Sequence, residues 1–135
     1  VAGVVPTLAE FPLAGTASYS GHAIGNVVNG VSKYIAAGTY TQSWNFANSS
    51  GTATIANFDV TGAGGITVSG AINPLPSTPT SFAAAAGTLI GTAGFQGSVN
   101  GGFFKSAADP VAGVGGNFAI SGANYQAAGT FAAQK

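Results

Sequence analysis

The sequence predicts an all-β protein: an eight-stranded antiparallel up-and-down β-barrel, with a two-sheet sandwich as the runner-up. Three observations carry this. Apolar and polar residues alternate with a period of two along most of the chain, and no window carries a helical stripe. Turn-rich spacers separate the alternating runs at the intervals expected of all-β sandwiches and barrels. The apolar faces interleave large side chains with Gly and Ala, as a small barrel requires, because eight strands leave an interior just wide enough for side chains to fill.

The elements follow in order. Around "TASYSGHAIGNVV", one face carries Tyr19, Gly21, Ala23, Gly25 and Val27. "YIAAGTYTQSWNF" sets Tyr34, Ala36, Gly38, Tyr40, Gln42, Trp44 and Phe46 on one side. "TATIANFDV" and "SFAAAAGTLI" are weaker strand candidates. "GITVSGAI" aligns Ile66, Val68, Gly70 and Ile72, and "GFQGSVNGGFF" aligns Phe95, Gly97, Val99, Gly101 and Phe103. "GVGGNFAIS" gives Val114, Gly116, Phe118 and Ile120, and "NYQAAGTFAA" gives Tyr125, Ala127, Gly129, Phe131 and Ala133. Glycine inside these strands permits the bending that closure imposes.

Two spacers stand out as candidate contact loops. "NPLPSTPTS" holds Pro74, Pro76 and Pro79, and three prolines cannot lie in a central strand, so it reads as a stiff loop between the halves of the barrel. "KSAADP" reads as the hairpin connection between the sixth and seventh strands: Lys105 leaves one strand, "SAA" allows a short helical turn, and Asp109 precedes the stiffening Pro110. Residues 1–12 form an apolar leader and residues 13–135 a single barrel domain. The leader lacks a basic n-region and reads as the start of a mature chain or an excised fragment. Val1, Val4, Val5, Leu8, Phe11 and Leu13 make it too apolar for a solvated tail, so it is expected to dock, on its own barrel or on an adjacent copy.

Composition prunes partners. Only 4% of the 135 residues are charged, with three Lys, no Arg, three acidic residues and a formal net charge of zero. Nucleic acid and anionic membrane surfaces require clustered cations. No cysteine is present, so disulfides and thiolate metal sites are excluded. No apolar run is long enough for a transmembrane helix. A membrane barrel with its aromatics facing lipid would need an inward face of Thr, Ser and Asn without any charged network. A soluble surface must be built from Thr, Ser, Asn and Gln, a composition commoner outside cells.

Candidate chemistry is sparse, and no enzyme, metal or cofactor is expected. Glu10, Asp59 and Asp109 fall in the leader, at a strand end and in a hairpin loop, where they read as solvated turn residues rather than a catalytic pair. His22 lies on the polar side of the first strand, and no G-x-S-x-G elbow is present to make it part of a triad. Haem needs only one or two axial ligands, and His22 or Tyr19 has suitable chemistry, which leaves a haem-binding secreted barrel as a lesser alternative. Asn48, in "NSS", reads as a turn.

"GGFFKSAADPVAGVGGNF" resembles the strand–loop–strand signature of the transferrin-binding protein B-like barrel domains of bacterial surface lipoproteins. Gly102, Phe103, Phe104, Ala108, Gly115, Gly116 and Phe118 match it, while Lys105 and Ser106 replace its Gly–Pro and no glutamate precedes the glycines. "YSGHAIGNV" and "NYQAAGTFAA" are also similar to the C-terminal barrel of some FecR-domain proteins. The resemblance implies a non-enzymatic, extracellular or cell-surface module that binds a ligand or protein through its loops. It does not carry transferrin over, because the family's contact loops are long and charged. The alternative, from a different class of function, is a self-associating subunit of an extracellular filament or layer, suited by a neutral surface without charge repulsion, with the leader donated as a strand to a neighbour. The expected partner is therefore a protein or copies of the chain itself.

Overall fold

Eight antiparallel strands, each bonded to its neighbour in sequence and the last to the first, close a barrel in the computed structural model of this protein, which describes residues 5–75 and 78–135. The strands are β1 (Thr16–Asn29), β2 (Ser32–Asn45), β3 (Ser50–Phe58), β4 (Ile66–Leu75), β5 (Thr78–Gly91), β6 (Gln96–Phe104), β7 (Gly113–Gly122) and β8 (Tyr125–Gln134). Among the described residues, helical structure is limited to one turn, α1 (Val60–Ala63), and two short 3₁₀ turns at Leu8–Glu10 and Thr92–Gly94. The up-and-down barrel is the architecture, not the sandwich.

Period-two alternation decides what fills it. The inward faces supply Tyr19, Ala23 and Val27 from β1, and Tyr40, Trp44 and Phe46 from β2 and its end. Phe82, Phe103, Phe118 and Phe131 arrive from the later strands. Tyr40 stacks on Phe131 with centroids 4.0 Å apart, and Trp44 meets Phe103 edge-on at 5.3 Å. These rings occupy the middle of the barrel, so it is a packed core and not a container. The outer faces carry the opposite set, with Ser18, Ser20, Thr39, Thr41, Ser43 and Thr52 all exposed. That is the reverse of the lipid-facing pattern, in which the apolar and aromatic residues point outward.

Closure this tight needs strands in close approach. Gly25 and Gly129 face each other across β1 and β8, and a Cβ at Gly129 would lie 2.0 Å from the Ile24 carbonyl oxygen. Strand β5 relieves its crowding differently. Its register against β6 slips between Ala84 and Leu89, where Gly87 takes a φ of +81°, so the alanine run bulges.

Two expectations are corrected here. The proline-rich segment is not a long loop: Pro74 lies in β4, paired with Phe82, and Pro79 lies in β5. Both sit near the hairpin end, where the β4–β5 register already shifts between Pro74 and Leu75 and few ladder donors are required. Pro76 lies outside the described residues, as do Val1 and Val4 of the leader. The Ser106–Asp109 connection is a turn closed by a Ser106 N–H donating to Asp109 O at 2.8 Å, not a helical one.

The up-and-down order sorts every connection to one of two ends. The leader, the β2–β3, β4–β5 and β6–β7 connections and Lys135 share one end. The β1–β2, β3–β4, β5–β6 and β7–β8 connections share the other.

Candidate functional site

The leader end is plugged and stapled. Phe11 packs edge-on against Phe46 and Phe103, with centroids 5.4 and 5.2 Å away, so the leader docks on its own barrel. Glu10 takes both of its carboxylate oxygens to 3.0 Å from Lys105 Nζ. The Thr7 backbone amide, and after it Lys105, hold the Glu10 carboxyl below the usual carboxylate range. Asp109 accepts from Lys135 Nζ at 2.8 Å and from the Val111 amide at 2.9 Å, and the two hold its carboxyl down in that order. Tyr19 donates to Val111 O at 2.7 Å from inside the barrel, and burial pushes its phenol pKa up. Of the sequence-predicted contact residues, Lys105 and Asp109 thus spend their charges on neighbouring segments of the fold.

The family-like signature spans β6 and β7 at this end. Gly102 pairs with Gly115, and Gly116 faces Gly101, where a Cβ would meet Asn100 O at 2.1 Å. Phe103 and Phe118 point inward and are buried, Phe104 is partly buried on the other face of β6, and Ala108 is exposed in the connection. The two residues named for haem do not meet: His22 is exposed on the outer face of β1 and Tyr19 is buried on the inner one. Among the described residues, no three His, Cys, Asp or Glu side chains gather where a metal could bind.

The opposite end holds a feature the sequence reading assigned wrongly. Asp59 is not a solvated turn residue; it is 3% exposed. Its backbone is left-handed at φ 56°, and it caps α1, with Oδ1 accepting from the Gly62 amide at 3.0 Å. Oδ2 accepts from the Tyr34 hydroxyl at 2.6 Å and from the Tyr125 hydroxyl at 2.8 Å. Asn29 Nδ2 completes the knot, donating to Tyr34 Oη at 3.1 Å and to Gly62 O at 3.3 Å. Burial first, and then the bond to Asp59, pushes the Tyr125 phenol pKa up, and the bond to Asp59 does the same for Tyr34. A signal was available: in "DVTGAGG" an N-cap residue stands three before Gly62 and a C-terminal glycine follows at Gly64, the punctuation of a short helix. Chemically the cluster is saturated. One carboxylate meets three donors, with Glu10 and Asp109 at the other end of the barrel, so it fixes geometry and is not an acid–base pair.

What this knot shapes is a groove. A depression of about 570 Å³ runs between Tyr34, Ile35, Ala36 and Ala37 on β2 and Asp59, Val60, Thr61 and Gly62 around α1. Large aliphatic side chains line it, with Ile35 69% exposed and Val60 62%, and Val31, in the β1–β2 turn at the same end of the barrel, is fully exposed. Ile24 and Val28 extend the apolar surface onto the outer face of β1. These aliphatic side chains are exposed to water although their burial would be favourable.

No family model matches the chain, and no curated protein matches it. Solved structures do. The barrel superposes with a TM-score of 0.63 and 15% identity on a point mutant of the vaccine antigen Transferrin Binding Protein B from Haemophilus parasuis Hp5, covering 96% of this chain and 28% of that one. A double mutant of the same antigen gives 0.63 and 16%, covering 98% and 27%. Intact Ap-TbpB, with its N and C lobes, gives 0.62 and 16%, covering 93% and 27%. The chain therefore has the fold of a barrel within transferrin-binding protein B and spans about a quarter of the length of those proteins.

Proposed function

We propose that this barrel is a non-enzymatic binding module, displayed outside the cell or on a bacterial surface, that grips a protein partner at the groove end. The contrast between its two ends carries the reading. The leader end is filled by Phe11 and tied by the Glu10–Lys105 and Asp109–Lys135 ion pairs. The other end holds an open groove lined by exposed Ile35 and Val60, with Val31 exposed at the nearby β1–β2 turn, beside the Asp59 knot of hydrogen bonds. A packed interior offers no room for a small ligand, so recognition falls to the outside. The names of the structural neighbours support a binding role, and the likeness does not extend to their ligand. Low charge suits association that does not rely on electrostatic steering.

Site-directed photo-crosslinking on the producing cells tests this. A photoreactive amino acid in place of Val31 or Val60 should yield an adduct with a second protein, and one in place of Ala107, in the leader-end β6–β7 connection, should not. Adducts only from Ala107 would move the binding surface to the leader end, and no adduct from any position would refute the binding role. Adducts between copies of the chain would favour the self-associating subunit.

A further inference from the structure

The groove has an unfinished strand edge along one bank. The two-residue turn at Gly30 and Val31 closes on the pair Asn29↔Ser32, which in such a hairpin exchanges both backbone hydrogen bonds. Counting by twos, Val27↔Tyr34 and Gly25↔Ala36 are also bonded pairs, so Lys33, Ile35 and Ala37 turn their amides and carbonyls away from β1. The Asp59 N–H donating to Ala37 O at 3.2 Å shows that direction. Yet β3 begins to pair with β2 only at Thr39↔Ala56. Among the described residues, Lys33 and Ile35 have no strand beside them on that side, so their two amides and two carbonyls point where a β3 extension would lie, and Ile35 lines the groove there.

We propose that an extended segment of the partner protein, aliphatic and acidic, adds to this edge as an extra strand and pairs with Lys33 and Ile35. Main-chain bonding to a sheet edge supplies affinity, and flanking side chains supply selectivity. The selectivity is legible in charge. Lys105 and Lys135 are paired with Glu10 and Asp109, while Lys33 is exposed and has no carboxylate partner among the described residues. An acidic residue in the incoming strand would complement it, and aliphatic residues would cover Ile35 and Val60. A second copy of this chain fits less well, because pairing the edge with itself brings two lysines together, the device by which edge strands discourage self-association. This inference rests on the groove end being the binding surface.

The probe is a blocked hexapeptide alternating valine with threonine and carrying one glutamate, titrated into the intact protein while backbone amide exchange is followed by NMR. At nine-tenths saturation, exchange at Lys33 and Ile35 should slow about tenfold, because only the free tenth exchanges. A peptide N-methylated at alternate amides should lose this protection. Lys33→Glu, an exposed change, should weaken the glutamate peptide about two- to fivefold and strengthen a lysine-bearing one. Unchanged exchange at Lys33 and Ile35, or equal binding of the N-methylated peptide, overturns strand addition. Equal affinity of Lys33→Glu for both peptides overturns the acidic preference. Protection that grows with protein concentration and without peptide makes the occupant a second copy. If crosslinks from Val31 and Val60 persist while the peptide protects nothing, strand addition fails and the binding end stands.

Discussion

Replacing Asp59 should damage this fold more than any other single polar change, and the size of the loss follows from its partners. In Asp59→Ala the buried Tyr125 hydroxyl loses its acceptor, and a buried polar group left unpaired costs about 1–3 kcal/mol. The Gly62 amide loses its cap at the same time, worth about 1 kcal/mol. The Tyr34 hydroxyl is freed as well. Alanine must also adopt the left-handed φ of 56°, which aspartate and asparagine tolerate better. The sum is about 3–5 kcal/mol, a large part of the total for a domain of this size. In a thermal melt followed by CD it should lower Tm by about 10–20 °C. Asp59→Asn keeps the cap and the backbone preference and should lose about half as much. The decisive measurement is the double-mutant cycle. Tyr125→Phe removes the hydroxyl that Asp59→Ala orphans, so the two changes together should cost less than their sum. Strict additivity, or a loss below about 0.5 kcal/mol for Asp59→Ala, would refute the knot as the organiser of this end.

Gly129→Ala places a methyl group on the Ile24 carbonyl and should prevent barrel closure, seen as loss of the native CD spectrum, whereas Gly102→Ala, whose new Cβ would meet nothing nearer than 3.4 Å, should melt within about 1 kcal/mol of the parent. Phe11→Ala should lower stability by about 1–3 kcal/mol, and deleting residues 1–12 should lower Tm, since the ring sits between Phe46 and Phe103. Glu10 and Asp109 have depressed pKa values, so their contribution is present above about pH 4 and lost as pH falls further; the Thr7 and Val111 amides, which donate to these carboxylates, should lose exchange protection relative to their intrinsic rates as pH drops through that range, and protection unchanged down to about pH 2 would refute the coupling. Tyr19, Tyr40 and Tyr125 have raised pKa values, chiefly through burial, so their contribution is complete below about pH 10 and lost above it; phenolate absorbance should rise together with unfolding rather than ahead of it.

The barrel was legible because its signal is redundant. A period of two repeated over eight strands assigns each inward face several times over, and Tyr19 to Val27 or Tyr125 to Ala133 would each point inward on their own. Proline misled because its missing donor was weighed without its place in the sheet; at a hairpin end, where the β4–β5 register is already broken, Pro74 and Pro79 leave no central ladder interrupted. Asp59 was misplaced for a related reason. A lone acid at a strand end is usually solvated, and only the closing of β8 beside β1 brings Tyr125, 66 residues away, onto it. Nothing local in "NFDVTG" records that meeting.

The groove end was illegible for a reason that bears on function. Alternation reports which side of a strand is buried in its own barrel and is silent about what the outer side meets. On β2, Ile35 continues the outward set of Ala37, Thr39 and Thr41, and within that set it is simply the odd aliphatic among small and polar residues. It acquires meaning only from the length mismatch between β2, with 14 residues, and β3, with nine. That mismatch leaves Lys33 and Ile35 without a neighbouring strand, and the bulge at Asn57, with its positive φ, turns the chain away into α1 instead of continuing the ladder. Along Lys33 and Ile35 the sheet thus has, among the described residues, an edge with no strand beside it, and the exposed aliphatic side chains of Ile35 and Val60 stand at that opening; an added strand would satisfy the edge and cover those side chains at once, which is why the proposed contact is main-chain pairing rather than side-chain docking alone.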